Sequence, residues 1–187
     1  VNVPFDIPAA WNSAPHVAMN QLLPGDVLFF SNTVFAGLSH VAIYIGGGDS
    51  NIVVECNTVS SASSGVNVTN IFGDGPNSAV TITGNNLHDN TNGVKVGATA
   101  VAAADTVVAN RNRLTGNTAF GVNNLSAFNV NAKRNWWGAS NGPGPVATGS
   151  GDRVTTNVTY APWLRSPSGA SCGEGGGDDS ERDRHDD

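Results

Sequence analysis

Lysine is nearly absent from this chain, standing only at Lys95 and Lys133, and Lys and Arg together number 9 in 187 residues. Long charged helices are therefore not expected. The formal net charge is −6, and the basic clusters that phosphate contacts require are missing, so no nucleic acid is expected as a partner. Cysteine is limited to Cys56 and Cys172, one at a strand end and one in the tail, and no disulfide framework is implied. There is no CxxC pair and no cluster of His, which leaves no expected metal site and no identifiable cofactor. No apolar run is long enough to cross a bilayer, so no membrane insertion is expected. No signal peptide is visible either, although the opening Val-Asn-Val-Pro without Met suits a processed or truncated product.

What is present is glycine (23 residues), abundant asparagine and a hydrophobic content of 39% carried mainly by Val and Ala. Turns are plentiful, and small apolar side chains suit thin coils better than a thick core. The length suits one domain. Much of the acid sits in Glu174 to Asp187, where Gly175-Gly176-Gly177 precedes Asp178; such a segment is expected to be a disordered, solvating tail.

Five stretches superimpose: VLFFSNTV from Val27, IVVECNTV from Ile52, VTITGNNL from Val80, VVANRNRL from Val107 and VNAKRNWW from Val130. Their asparagines, at Asn32, Asn57, Asn85, Asn112 and Asn135, are spaced 25, 28, 27 and 23 residues apart. Five before each Asn stands Val or Ile; three before it stand Phe29, Val54, Ile82, Ala109 and Ala132. The positions between are mostly polar, as in a period-2 strand with one buried face. Two after the Asn come Val34, Val59, Leu87, Leu114 and Trp137. Another strand then opens at His40-Val41, Gly65-Val66, Gly93-Val94 and Gly121-Val122. Three short strands per repeat make one coil of a solenoid. With about six or seven inward apolar residues per coil, each contributing roughly 1.5–3 kcal/mol when fully buried, neighbouring coils hold one another.

The recurring Asn has a physical reason. It tolerates the left-handed conformation that a sharp corner demands. Stacked about 4.8 Å apart, such amides can also bond to one another up the stack as a ladder.

From about His16 to Leu164 the sequence resembles the right-handed parallel β-helix repeat proteins of the pectate-lyase-like superfamily. Asn135-Trp136-Trp137-Gly138, Gly142-Pro143-Gly144-Pro145 and Asn157 to Leu164 resemble the closing segment of secreted members, where large aromatics cover the open apolar end. The resemblance implies an all-β, right-handed parallel β-helix of about five coils of 23–28 residues. Residues 1–15 are then an N-terminal segment or partial coil, 16–165 the β-helix with its cap at 135–165, and 166–187 a disordered acidic tail. It also implies an extracellular or cell-surface setting and a polysaccharide or surface glycan as partner, with calcium as the one cofactor the family suggests. The repeat of His16-Val17-Ala18-Met19 at His40 suggests a fragment of a longer protein, with further coils or domains beyond this chain.

A second resemblance competes at the N-terminus. Leu23 to Phe30 followed by Ser39 to Gly46 is similar to the second half of an NlpC/P60 cysteine peptidase, in which His40 would be the catalytic imidazole. That chemistry needs a thiolate earlier in the chain, and the sequence has no Cys before Cys56. The same residues also fit the coil register.

Function is expected on the outward side of the third strand. By alternation His40, Tyr44, Asn67, Thr69, Lys95 and Asn123 stand there as candidate sugar-binding residues, with His88, Asp89, Asn90 and Asn92 on the preceding corner. A lyase of this superfamily needs a base beside a uronate carboxylate; Lys95, with His88 and Asp89 near it in sequence, is the candidate. A hydrolase needs two carboxylates, and Asp89 has no evident acidic partner on this strip. The expected function is thus a carbohydrate-interacting surface module, with a polysaccharide lyase as the enzymatic alternative.

Overall fold

The computed structural model describes residues 27–31, 38–43, 50–70, 75–145, 149–170 and 172. From Ser50 onward the chain winds as a parallel β-solenoid of about four turns. The first coil is β3 (Ser50–Glu55), β4 (Thr58–Ser60) and β5 (Ser64–Val68), following β1 (Val27–Ser31) and β2 (Leu38–Ile43). The second coil is β6 (Ser78–Thr83), β7 (Asn86–His88) and β8 (Asn92–Val96), and the third is β9 (Val107–Asn110), β10 (Arg113–Thr115) and β11 (Phe120–Asn124). The fourth carries β12 (Val130–Asn131), β13 (Pro143–Pro145) and β14 (Gly151–Val154), and β15 (Val158–Thr159) begins the closure. Like strands stack in parallel: β3-β6-β9-β12-β15 in one sheet, β4-β7-β10 in a second, and β5-β8-β11-β14-β13 in a third.

The expected inward positions are in register. Ile52 pairs with Val80 and Val80 with Val107, Val54 with Ile82 and Ile82 with Ala109. Val59, Leu87 and Leu114 stack in the second sheet, and Val66, Val94, Val122 and Val154 in the third. In the second to fourth coils these side chains are buried. Trp137 takes the place of the stacked Leu in the fourth coil and is itself wholly buried. Tyr160 and Trp163 are partly buried and pack against this core, their rings 6.3 Å apart. Gly93 marks a close backbone approach between coils: a Cβ there would meet the Gly121 carbonyl oxygen at 2.6 Å and Leu114 Cδ2 at 2.9 Å.

The asparagine ladder forms, with one change in its logic. Asn57 donates from its backbone and amide nitrogens to Asn85 Oδ1 (2.9 and 3.1 Å), Asn85 to Asn112 Oδ1 (2.9 and 3.0 Å), and Asn112 to Asn135 Oδ1 (2.7 and 3.2 Å). Each of the last three amides also donates to a carbonyl of the preceding coil: Val54, Ile82 and Ala109 in turn. The left-handed residue at the corner is the one before the asparagine: Cys56 (φ 60), Gly84 (φ 64), Arg111 (φ 57) and Arg134 (φ 55). Asn is thus required at these sites by its amide, which satisfies buried backbone groups of two coils at once.

Three expectations are corrected. The stretch from Val27 is not a coil: β1 and β2 pair with each other antiparallel, Val27 opposite Ile43 and Phe30 opposite His40, so the solenoid has about four turns rather than five. Asn32 and Val34 lie outside the described residues. Second, the two cysteines form a disulfide, Cys56–Cys172, with Cα atoms 5.0 Å apart. Third, the segment expected to begin a disordered tail at 166 is structured here, with a 3₁₀ turn at Pro167–Gly169 and a buried Ala170.

The disulfide is sterically easy. Leu164 donates its backbone N–H to the Asn135 carbonyl (3.0 Å), placing it on the fourth coil, whereas Cys56 lies on the first. Three strand spacings are about 14 Å, and the eight residues from 165 to 172 can reach further than that. The C-terminal segment therefore runs back along the corner as a strap.

Candidate functional site

On the outer face of the third sheet, Asn67 pairs with Lys95 and Lys95 with Asn123, so three of the expected residues form one row about 4.8 Å apart per step. Asn67 is exposed, and Lys95 and Asn123 are half-buried. Asn123 donates its amide to Asn92 Oδ1 (3.0 Å). Thr69 lies just past the end of β5 and accepts the Asn77 amide at its carbonyl (3.1 Å). His40 does not join this row, because β2 pairs with β1; its side chain, and Tyr44, lie outside the described residues.

His88 and Asp89 occupy a different corner, between the second and third sheets, where His88 Nδ1 and Asp89 Oδ2 are 2.8 Å apart. They bond to each other; among the described residues Lys95 makes no ion pair with either. The three candidates for a base and its helpers are therefore not gathered into one constellation. Asn90 and Asn92, expected outward, are buried.

Asn90 belongs to a second ladder that sequence reasoning missed. Asn90 Oδ1 accepts from Ala62 N–H (3.0 Å), Asn117 Oδ1 from Asn90 N–H (3.1 Å), and Asp152 Oδ2 from Asn117 N–H and Nδ2 (3.0 and 2.6 Å). The signal was available: Asn90 and Asn117 each stand five residues after a first-ladder Asn. The residues before them turn left-handed, Asp89 (φ 54) and Gly116 (φ 69).

Asp152 ends this ladder as a carboxylate where the others are amides. Burial raises its pKa above the ordinary aspartate value; hydrogen bonds from Asn117 and Gly116 oppose this, and the negative charge of Asp89 adds to it. Yet Asp152 Oδ2 is occupied by two donors of Asn117, an arrangement suited to closing a ladder and not to shuttling protons. A groove of about 340 Å³ runs past Asp152 and Gly116.

A larger groove, about 560 Å³, lies at the first ladder's corner between Cys56, Thr58, Asn86 and Arg113 on one side and the strap residues Pro167 and Ala170 on the other. None of these residues was among the candidates read from the sequence, which lay on the third-strand strip, whereas Thr58, Asn86 and Arg113 follow the ladder asparagines into the second sheet.

A family model described as "Right handed beta helix region" matches residues 10–159. The chain belongs to the right-handed β-helix family. This gives the solenoid its hand and covers both ladders and all four turns. No curated protein and no solved structure matches the chain. Within the β-helix, among the described residues, no group of three or more His, Cys, Asp or Glu is placed to hold a metal ion, and no helix is long and apolar enough to cross a membrane.

Proposed function

We propose that this β-helix is an extracellular, carbohydrate-interacting surface module. The observation that carries the reading is the in-register row Asn67, Lys95 and Asn123: an amide, an ammonium and an amide repeated at one strand spacing form a shallow polar track suited to sugar hydroxyls. The Cys56–Cys172 disulfide supports the extracellular setting, since such bonds persist in oxidising compartments.

Binding is favoured over β-elimination because Lys95 stands on one sheet and the His88–Asp89 pair on another corner. A peptidase reading of the N-terminal segment retains only its hairpin; Cys56, the first cysteine in the sequence, is held in the disulfide.

Incubation with a panel of uronate polysaccharides, with and without calcium, followed by ultraviolet absorbance and a binding titration, tests the proposal. Binding without a rise in absorbance is the expected result, and a neutral glycan included in the panel is expected to bind more weakly to Lys95→Ala. A rise abolished by Lys95→Ala would replace the module with a lyase; no binding to any glycan would leave a purely structural repeat.

A further inference from the structure

The groove beneath the strap has a floor of unusual chemistry for so acidic a chain. Thr58 pairs with Asn86 and Asn86 with Arg113, so a hydroxyl, an amide and a guanidinium stand in a row across three coils, one strand spacing apart. None of these side chains makes a hydrogen bond or ion pair among the described residues, unlike the ladder asparagines beside them. Arg113 is exposed, and the groove lining contains no Asp or Glu.

The corner also concentrates positive charge. Of the 9 Lys and Arg residues, Arg111 and Arg113 flank Asn112 of the ladder, and Lys133 and Arg134 immediately precede Asn135. Stacking sets Arg111 beside Arg134, whose carbonyl accepts the Arg111 backbone N–H (3.0 Å), and of these four residues Arg113 lines the groove. Much of the acid stands in residues 173–187, beyond the described ones, with seven Asp and Glu against two Arg, so the rest of the chain has a net charge of −6 − (−5) = −1.

We propose that this groove binds an acidic glycan, with Arg113 holding a sugar carboxylate through paired N–H donors and Asn86 and Thr58 meeting ring hydroxyls. Arg suits this role because its planar fork matches a carboxylate bidentately. The volume of about 560 Å³ falls within the range of small-ligand sites. The strap supplies the second wall, and the disulfide at Cys172 keeps it there. The proposal rests on the carbohydrate reading but assigns the ligand's charge to a different face from the Asn67–Lys95–Asn123 row.

Calorimetric titration of the full chain with trigalacturonate and with a neutral galactose trisaccharide tests it. The acidic sugar is expected to bind at least tenfold more tightly than the neutral one. Arg113→Gln is expected to weaken it at least tenfold, with the circular dichroism spectrum unchanged because Arg113 is exposed, while Lys95→Ala leaves it within twofold. Cys172→Ser, which frees the wall, is expected to weaken binding several-fold. Unchanged binding by Arg113→Gln together with loss in Lys95→Ala overturns this site and keeps the carbohydrate reading. Failure of every glycan to bind overturns both. An oligothymidylate that binds more tightly than trigalacturonate, and depends on Arg113, overturns the glycan assignment.

Discussion

Asp152 accepts the Asn117 amide at 2.6 Å and its backbone N–H at 3.0 Å, standing where the second ladder calls for one more asparagine. Its pKa is raised, chiefly by burial, so folding favours the protonated carboxyl. Its contribution to stability is therefore full below the ordinary aspartate pKa and is lost as pH rises through the raised folded value. Asp152→Asn removes this loss and provides a donor for the Leu114 carbonyl, as Asn117 donates to that of Leu87. The variant is expected to be more stable by about 1 kcal/mol at neutral pH, with the gain vanishing in acid; denaturant titrations at neutral and acid pH would measure it. Equal stability at both would mean that the carboxylate is not penalised.

Position along the first ladder sets the cost of losing an amide. Asn112 is fully buried and serves Asn85, Ile82 and Asn110, so Asn112→Ala strands several buried groups and is expected to cost about 3 kcal/mol or more. Asn57, exposed at the ladder's end, is expected to cost about 1 kcal/mol or less when replaced by Ala. Thermal melts of the two variants would show the difference; equal shifts would argue against an energetic ladder.

The strap links residues 116 apart. Cys172→Ser is expected to lower stability by about 2–4 kcal/mol, read as a drop in the denaturant midpoint that matches the drop on reducing the native chain. A reduced chain as stable as the oxidised one would show that the bond adds nothing.

Gly116 has φ +69, and a Cβ there would meet Asp89 Oδ1 at 2.5 Å. Gly116→Ala is expected to cost about 1–2 kcal/mol. Because Asp89 is exposed, part of this is expected to be regained in the double variant with Asp89→Ala, a coupling that a double-mutant cycle measures. Strict additivity would place the whole cost in the backbone.

The inward stacks of the second to fourth coils were legible in the sequence because a sheet with one buried face imposes period 2, and Val80, Ile82, Val107 and Ala109 obey it. The same alternation misassigned Val27–Ser31 and Leu38–Ile43, since an apolar face does not specify which strand lies alongside. Asn90 and Asn117 carried a readable period, but their ladder ends at Asp152 only after the fourth coil's longer excursion through β13, which breaks the spacing. Cys56 and Cys172 meet through the path of the strap, and no local pattern encodes that. The row Thr58, Asn86 and Arg113 escaped notice because it has no residue type in common and becomes a row only once coils stack.

The same bond has a mechanical reading. Tension applied along the polypeptide enters at Cys56 and leaves through Cys172 across a covalent link. The second, third and fourth turns hang on that link as an unloaded loop. A module anchored through both of its flanks would then lengthen under force only outside residues 56–172, keeping its stacked coils and the face they present intact while the oxidised link holds.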